Sequence, residues 1–131
     1  AEKATDLREA EAWLTYAQGD SSKAIELLRA AADREDAKGV DSVTMPAREM
    51  LGDLLMELKK PSDAMQAYKT VLVEAPNRFD ALLGAAEASL AAGDTHSARD
   101  YYLQLLKIAD RAADRPELKE ARIYLAGPKV R

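Results

Sequence analysis

The stretch MPAREMLGDLLMELKKPSDAMQAYKTVLVEAPNR, spanning 45–78, decides the fold. Its apolar residues recur at helical spacing in two runs, split by Lys59-Lys60-Pro61 and closed by Pro76-Asn77, which predicts one helical hairpin. The stretch that follows, 79–112, is of equal length and writes the hairpin again. Gly52 becomes Ala86, Ala64 becomes Ala98, Tyr68 becomes Tyr102, Val71 becomes Leu105 and Leu72 becomes Leu106, each at the same offset. A unit of this size cannot bury its own apolar face, so a fixed period predicts stacked hairpins.

Working outward, residues 5–18 read as a helix on Leu7, Ala10, Leu14 and Ala17, and Gly19-Asp20 stops it. A second helix follows over 21–37, with Ala24, Leu27, Leu28 and Ala31 on one face. Gly19 sits where Gly93 sits in the third unit and Ala12 takes the Gly52 position, so 5–38 is a degenerate repeat. The interval from Ala24 to Ala64 is six longer than the interval from Ala64 to Ala98, which places a loop insertion at 39–44. Pro46 suits a first helical turn, where its missing N–H has no intrahelical partner.

The remaining helices are expected over 46–60, 61–75, 78–92 and 95–110, with Gly93-Asp94 as the third turn. Asn77 and Asp80 are spaced as a capping box for the fifth helix. A last helix over 116–126, stopped by Gly127-Pro128, would cap the stack through Leu118, Ala121 and Leu125, leaving Lys119, Glu120 and Arg122 in solvent. The expectation is a single all-α domain over 1–131. It is a right-handed α-α superhelix of three hairpins (5–38, 45–78, 79–112) plus a capping helix, seven helices and no strand.

Composition agrees. Of 131 residues 26 are alanine and only seven aromatic, and small side chains let helices approach closely. The net charge of −4 works against nucleic acid and anionic membranes as partners. With no cysteine there is no disulfide or thiolate ligand. No apolar run nears the roughly 18 residues of a membrane span, so no membrane insertion is expected. Ala1 is not an initiator methionine, so the chain reads as a processed product or excised piece, and bacterial cytoplasm and periplasm both stay open.

The residues at 52 and 86, 64 and 98, and 68 and 102, with Pro76, resemble the tetratricopeptide repeat family over 5–110. Arg48 departs from the family pattern, standing where it prefers Trp. Asp110 stands where Pro76 would recur, and Lys59 replaces the turn glycine. The longer run from GDSSKAIELLRAAADREDA through PAREMLGDLLMELKKPSDAMQAYKTVLVEAPNRFDALLGAA is also similar to the C-terminal part of larger bacterial repeat proteins of unestablished activity.

The resemblance implies a non-enzymatic scaffold that binds a protein or peptide in a groove lined by the first helix of each hairpin. Carried over position by position, the groove takes Asp6, Glu9, Trp13, Tyr16 and Ala17 from the first unit. The second gives Pro46, Glu49, Asp53, Met56 and Glu57, and the third Asp80, Leu83, Glu87, Leu90 and Ala91. Seven of these are acidic and none is basic, so the expected partner is a basic or amphipathic peptide. Trp13, Tyr16, Met56, Leu83 and Leu90 would be its apolar contacts. One family subclass grips an acidic chaperone tail with lysines and asparagines; Glu9, Trp13, Met50, Asp80 and Gly84 stand at those positions and exclude it. The competing reading makes the acids a solvated face and Trp13 a packing residue. A structural oligomerisation or spacer role is the alternative, and self-association could bring Lys129 and Arg131 into a neighbour's groove.

Little points to chemistry. His96, the single histidine, lies at a helix start with Ser97 beside it in sequence, the wrong geometry for a nucleophile and base. Glu49/Asp53 and Asp53/Glu57 are four apart but lack the shaped oxygen-rich loop of a hard-metal site. No phosphate-cradling glycine loop is present, so neither a metal nor any other cofactor is expected. A hydrolase would need a deep cleft with two raised carboxyl pKa values.

Overall fold

The computed structural model describes residues 11–38, 47–108 and 116–127. The expected loop at 39–44, Asp6, Glu9, Pro46, Lys129 and Arg131 lie outside them. Seven helices and no strand are formed among the described residues: α1 (11–17), α2 (Ser21–Lys38), α3 (Ala47–Glu57), α4 (Pro61–Glu74), α5 (Phe79–Ala91), α6 (Thr95–Ile108) and α7 (Pro116–Ala126). From α2 onward each helix packs chiefly on its neighbours in sequence, with a smaller contact between α3 and α5. The result is a superhelical stack of hairpins.

One turn chemistry is used three times. The N–H of Asp20, Lys60 and Asp94 donates to the carbonyl five residues back, at Thr15, Leu55 and Ser89. The preceding residue (Gly19, Lys59, Gly93) donates three back, which completes a Schellman motif. The motif needs a left-handed residue. Gly19 and Gly93 supply it at φ +95° and +84°, whereas Lys59 adopts φ +59° against its Cβ. Helix starts differ as well. Asp20 and Asp94 cap α2 and α6 by accepting from the N–H groups of Lys23 and Ser97, while α4 begins on Pro61.

The capping box expected from Asn77 and Asp80 is not made. Helix α5 starts one residue later, with Arg78 at the N-cap and no side-chain cap bond. The Arg78 side chain is engaged elsewhere, as described below.

Buried leucines and tyrosines drive the stack and alanines set its spacing. Leu28, Leu51, Leu54, Leu82, Leu105 and Leu118 are fully buried, as is Tyr102. Each buried leucine is worth about 1.5–3 kcal/mol, against about 0.8 kcal/mol for one methyl. Helix α5 is enclosed by α3, α4 and α6, so Ala81, Ala85, Ala86 and Ala88 bury its flanks at close approach. The capping helix α7 seats Leu118 and Ala121 in the last core cluster and sets the Tyr124 ring 5.0 Å from that of Tyr102.

Candidate functional site

Helices α1, α3 and α5 open the three hairpins, and the candidate groove residues lie on them. Trp13 and Tyr16 sit one turn apart on α1, their rings edge to face at 5.9 Å. Both are half-buried against the first core cluster, as is Met56 from α3. Leu83 is half-buried against the second cluster, while Leu90, Glu57 and Asp80 are exposed.

Glu49 is a correction. The repeat pattern expects it as an exposed groove carboxylate, but it is 1 % exposed and bound by Arg78. Arg78 Nε donates to Oε1 at 2.7 Å and Nη2 to Oε2 at 3.2 Å. This two-pronged bond, with burial working against it, holds the guanidinium pKa above its ordinary value. A carboxylate this buried needs a cation, and the residue preceding α5 supplies it. Sequence reasoning misses Arg78 because it falls outside the repeat positions that face the groove. Its signal is a lone arginine directly after the hairpin-closing Pro76-Asn77.

Asp53 is half-buried and accepts a hydrogen bond from Tyr68 Oη. Burial raises its pKa, the Tyr68 bond partly offsets this, and the Glu49 and Asp80 charges push it up further. Burial and the Asp53 bond likewise hold the Tyr68 hydroxyl far above the ordinary phenol range. The Tyr68 ring lies in a slot between two helices. A Cβ on Gly52 of α3 would meet it at 2.8 Å, and one on Gly84 of α5 at 2.5 Å.

Glu87 on α5 has its pKa pushed up to about 7, first by burial, then by a hydrogen bond with Glu120 and by the charges of Glu120, Asp53 and Glu117. Glu120, on α7, is expected in solvent with Lys119 and Arg122. It is exposed, as are they, and it also accepts from Tyr102 Oη at 2.8 Å. Burial first, and this bond second, hold the Tyr102 hydroxyl above its ordinary range. A carboxyl pair spanning α5 and α7 is invisible to the repeat pattern, because α7 lies beyond the last full repeat.

The face therefore offers Asp53, Glu87 and Glu120 beside tyrosine hydroxyls, with Glu57 and Asp80 exposed beyond them. Both Asp53 and Glu87 titrate high, yet their shifts are accounted for by burial and carboxylate neighbours. His96 is exposed on α6, 3.5 Å from Asp100. No group of three metal-ligating side chains converges among the described residues, and no described helix is long and apolar enough to cross a membrane.

The tetratricopeptide repeat family profile matches residues 9–77 and again 49–116. No curated protein matches the sequence. Among solved structures, PcrH from Pseudomonas aeruginosa superposes with a TM-score of 0.72 at 20 % identity, covering 96 % of this chain and 92 % of its own. A putative protein binding protein from Bacteroides ovatus ATCC 8483 gives 0.49 at 21 % identity, covering 86 % of this chain and 58 % of its own. At such identity the PcrH match is a likeness of fold. The profile spans most of the chain, and domains of this kind bind proteins or peptides: the chain belongs to the tetratricopeptide repeat family.

Proposed function

We propose that the chain is a scaffold that binds a basic, amphipathic segment of a partner protein across the face of α1, α3 and α5. One observation carries this reading. Carboxylate neighbours add to burial in raising the pKa values of Asp53 (through Asp80) and Glu87 (through Glu120 and Asp53), so negative charge is concentrated on this face. A lysine or arginine from a partner supplies a counter-charge to Asp53 and Glu87, favouring their ionised forms. Exposed Glu57 and Asp80 extend the field and steer approach. Trp13, Tyr16, Met56, Leu83 and Leu90 offer apolar contact, and Glu9 completes the set from the repeat pattern. Glu49 takes no part, because Arg78 already neutralises it.

Trp13 is the sole tryptophan and so reports on this face. Titration with an amphipathic Leu/Lys peptide should change its fluorescence, with an affinity that falls as salt rises. A Leu/Glu peptide should leave it unchanged. The double variant Glu57→Lys/Asp80→Lys should weaken the basic peptide about tenfold; equal affinity in the variant would sink the proposal. Light scattering at millimolar protein tests whether the basic segment can be Lys129 and Arg131 of a second copy, and a monomer throughout excludes that source.

A further inference from the structure

The two junctions between successive hairpins are not packed alike. Between α4 and α6 the Tyr101 ring is half-buried and packs on the core residues of both hairpins. The corresponding residue one repeat earlier is Ala67. At the junction of α2 and α4 only a methyl group stands where a ring stands one repeat later, and a cleft of about 320 Å³ is left there.

Leu51, Leu55 and Ala67 lie at the base of the cleft, with Gln66 and Thr70 beside them. Arg29 and Arg48 form one wall and Asp63 marks the opposite rim. Arg48 is itself a departure from the repeat, since its counterpart in the next unit is Leu82, which is fully buried. Its guanidinium is held by Asp33 of α2 at 2.7 Å and its side chain is 15 % exposed, so this wall is fixed in place. Arg29 is exposed.

We propose that this cleft receives an aromatic side chain from a partner polypeptide, in the place that Tyr101 fills from within at the next junction. A carboxylate of the same partner lies next to that ring and meets Arg29. The reasons are size, surface and charge. The cleft has more than enough room for a ring, and Leu51, Leu55 and Ala67 line it together with the polar Gln66 and Thr70. A guanidinium favours both an aromatic face and a carboxylate oxygen. Asp63 repels a carboxylate at the far rim, so the acidic end is directed to the α2 side. The site is formed by α2, α3 and α4 and shares no residue with the acidic site at Asp53 and Glu87, and its ligand chemistry is opposite in sign to that of the α1–α3–α5 face.

The test uses the whole chain and three small probes, read by amide chemical shifts. N-acetyltyrosine carries ring and carboxylate, N-acetyltyrosinamide the ring alone, and N-acetylglycine the carboxylate alone. N-acetyltyrosine should shift the amides of Arg29, Leu55, Ala67 and Thr70, with a Kd on the order of millimolar. The amide should bind about threefold more weakly, the worth of one exposed ion pair, and N-acetylglycine should not bind. Ala67→Tyr should abolish binding by filling the cleft. Arg29→Glu, at an exposed site that leaves folding intact, should weaken N-acetyltyrosine about threefold and leave the amide unchanged. Absence of localised shifts at millimolar probe, or equal shifts from N-acetylglycine, overturns the proposal. So does undiminished binding to a folded Ala67→Tyr variant. If Ala67→Tyr does not fold, Arg29→Glu decides, and an unchanged N-acetyltyrosine affinity overturns the assignment of Arg29.

Discussion

An aromatic ring between two helices needs a slot about as thin as itself, and Tyr68 has one. Gly52 is legible as part of that slot, since a small residue and an aromatic recur at fixed offsets in the repeat. Gly84 is not, because its counterpart one repeat earlier is Met50, which is not small, and α5 is alanine-rich throughout. Gly84→Ala should favour the helix by about 1 kcal/mol in propensity. Its new Cβ would lie 2.5 Å from Tyr68 Cε1 and Cζ. The ring cannot retreat, because Gly52 closes the other side and Asp53 holds the hydroxyl. Overpacking costs about 1–3 kcal/mol, so a net loss of about 1 kcal/mol is expected in urea unfolding. A gain would mean that the slot is looser than described.

At the scale of elements, two contacts tie helices that the repeat pattern does not pair. Arg78 joins the start of α5 to Glu49 of α3. Arg78→Met leaves a carboxylate buried without its cation and should cost about 3–5 kcal/mol. Replacing both partners by Met should recover most of that loss, which a double-mutant cycle on thermal unfolding would measure. The second contact is the Glu87–Glu120 pair between α5 and α7. The pKa of Glu87 is raised to about 7 in the folded chain against 4.5 ordinarily, so folding favours its protonated form. The stability it contributes is complete below about pH 4.5, declines as pH rises and is gone above about 7. Unfolding free energy should therefore fall between pH 5 and 7.5, and Glu87→Gln, neutral throughout, should flatten that slope. A wild-type slope of the opposite sign would contradict the carboxyl pair.

Over the whole molecule, stability is close to a sum of nearest-neighbour terms, because helices meet mainly their neighbours in sequence. The main contact of α7 is with α6, through Leu118 and Ala121. Leu118→Ala should cost about 2–4 kcal/mol at that end. Hydrogen exchange should then quicken in α6 and α7 while α2 and α3 keep their protection. Uniform loss of protection would mean that the stack unfolds as one unit.

The sequence by itself determined the seven helices, their hairpin pairing and their stacking. Those features depend on local periodicity and on residues one repeat apart, and both can be read along the chain. Even Lys59 was legible as the odd member of the turn series, since only the identity of the left-handed residue changed. The tertiary structure alone decided which carboxylates are already partnered. Arg78 reaches Glu49 from the residue just before α5 and Glu120 reaches Glu87 from outside the repeats, and no period encodes either distance. It also turned the difference between Ala67 and Tyr101 into a cleft. A small residue reads as innocuous in a sequence, and becomes empty space only when the helices around it are held apart by packing elsewhere.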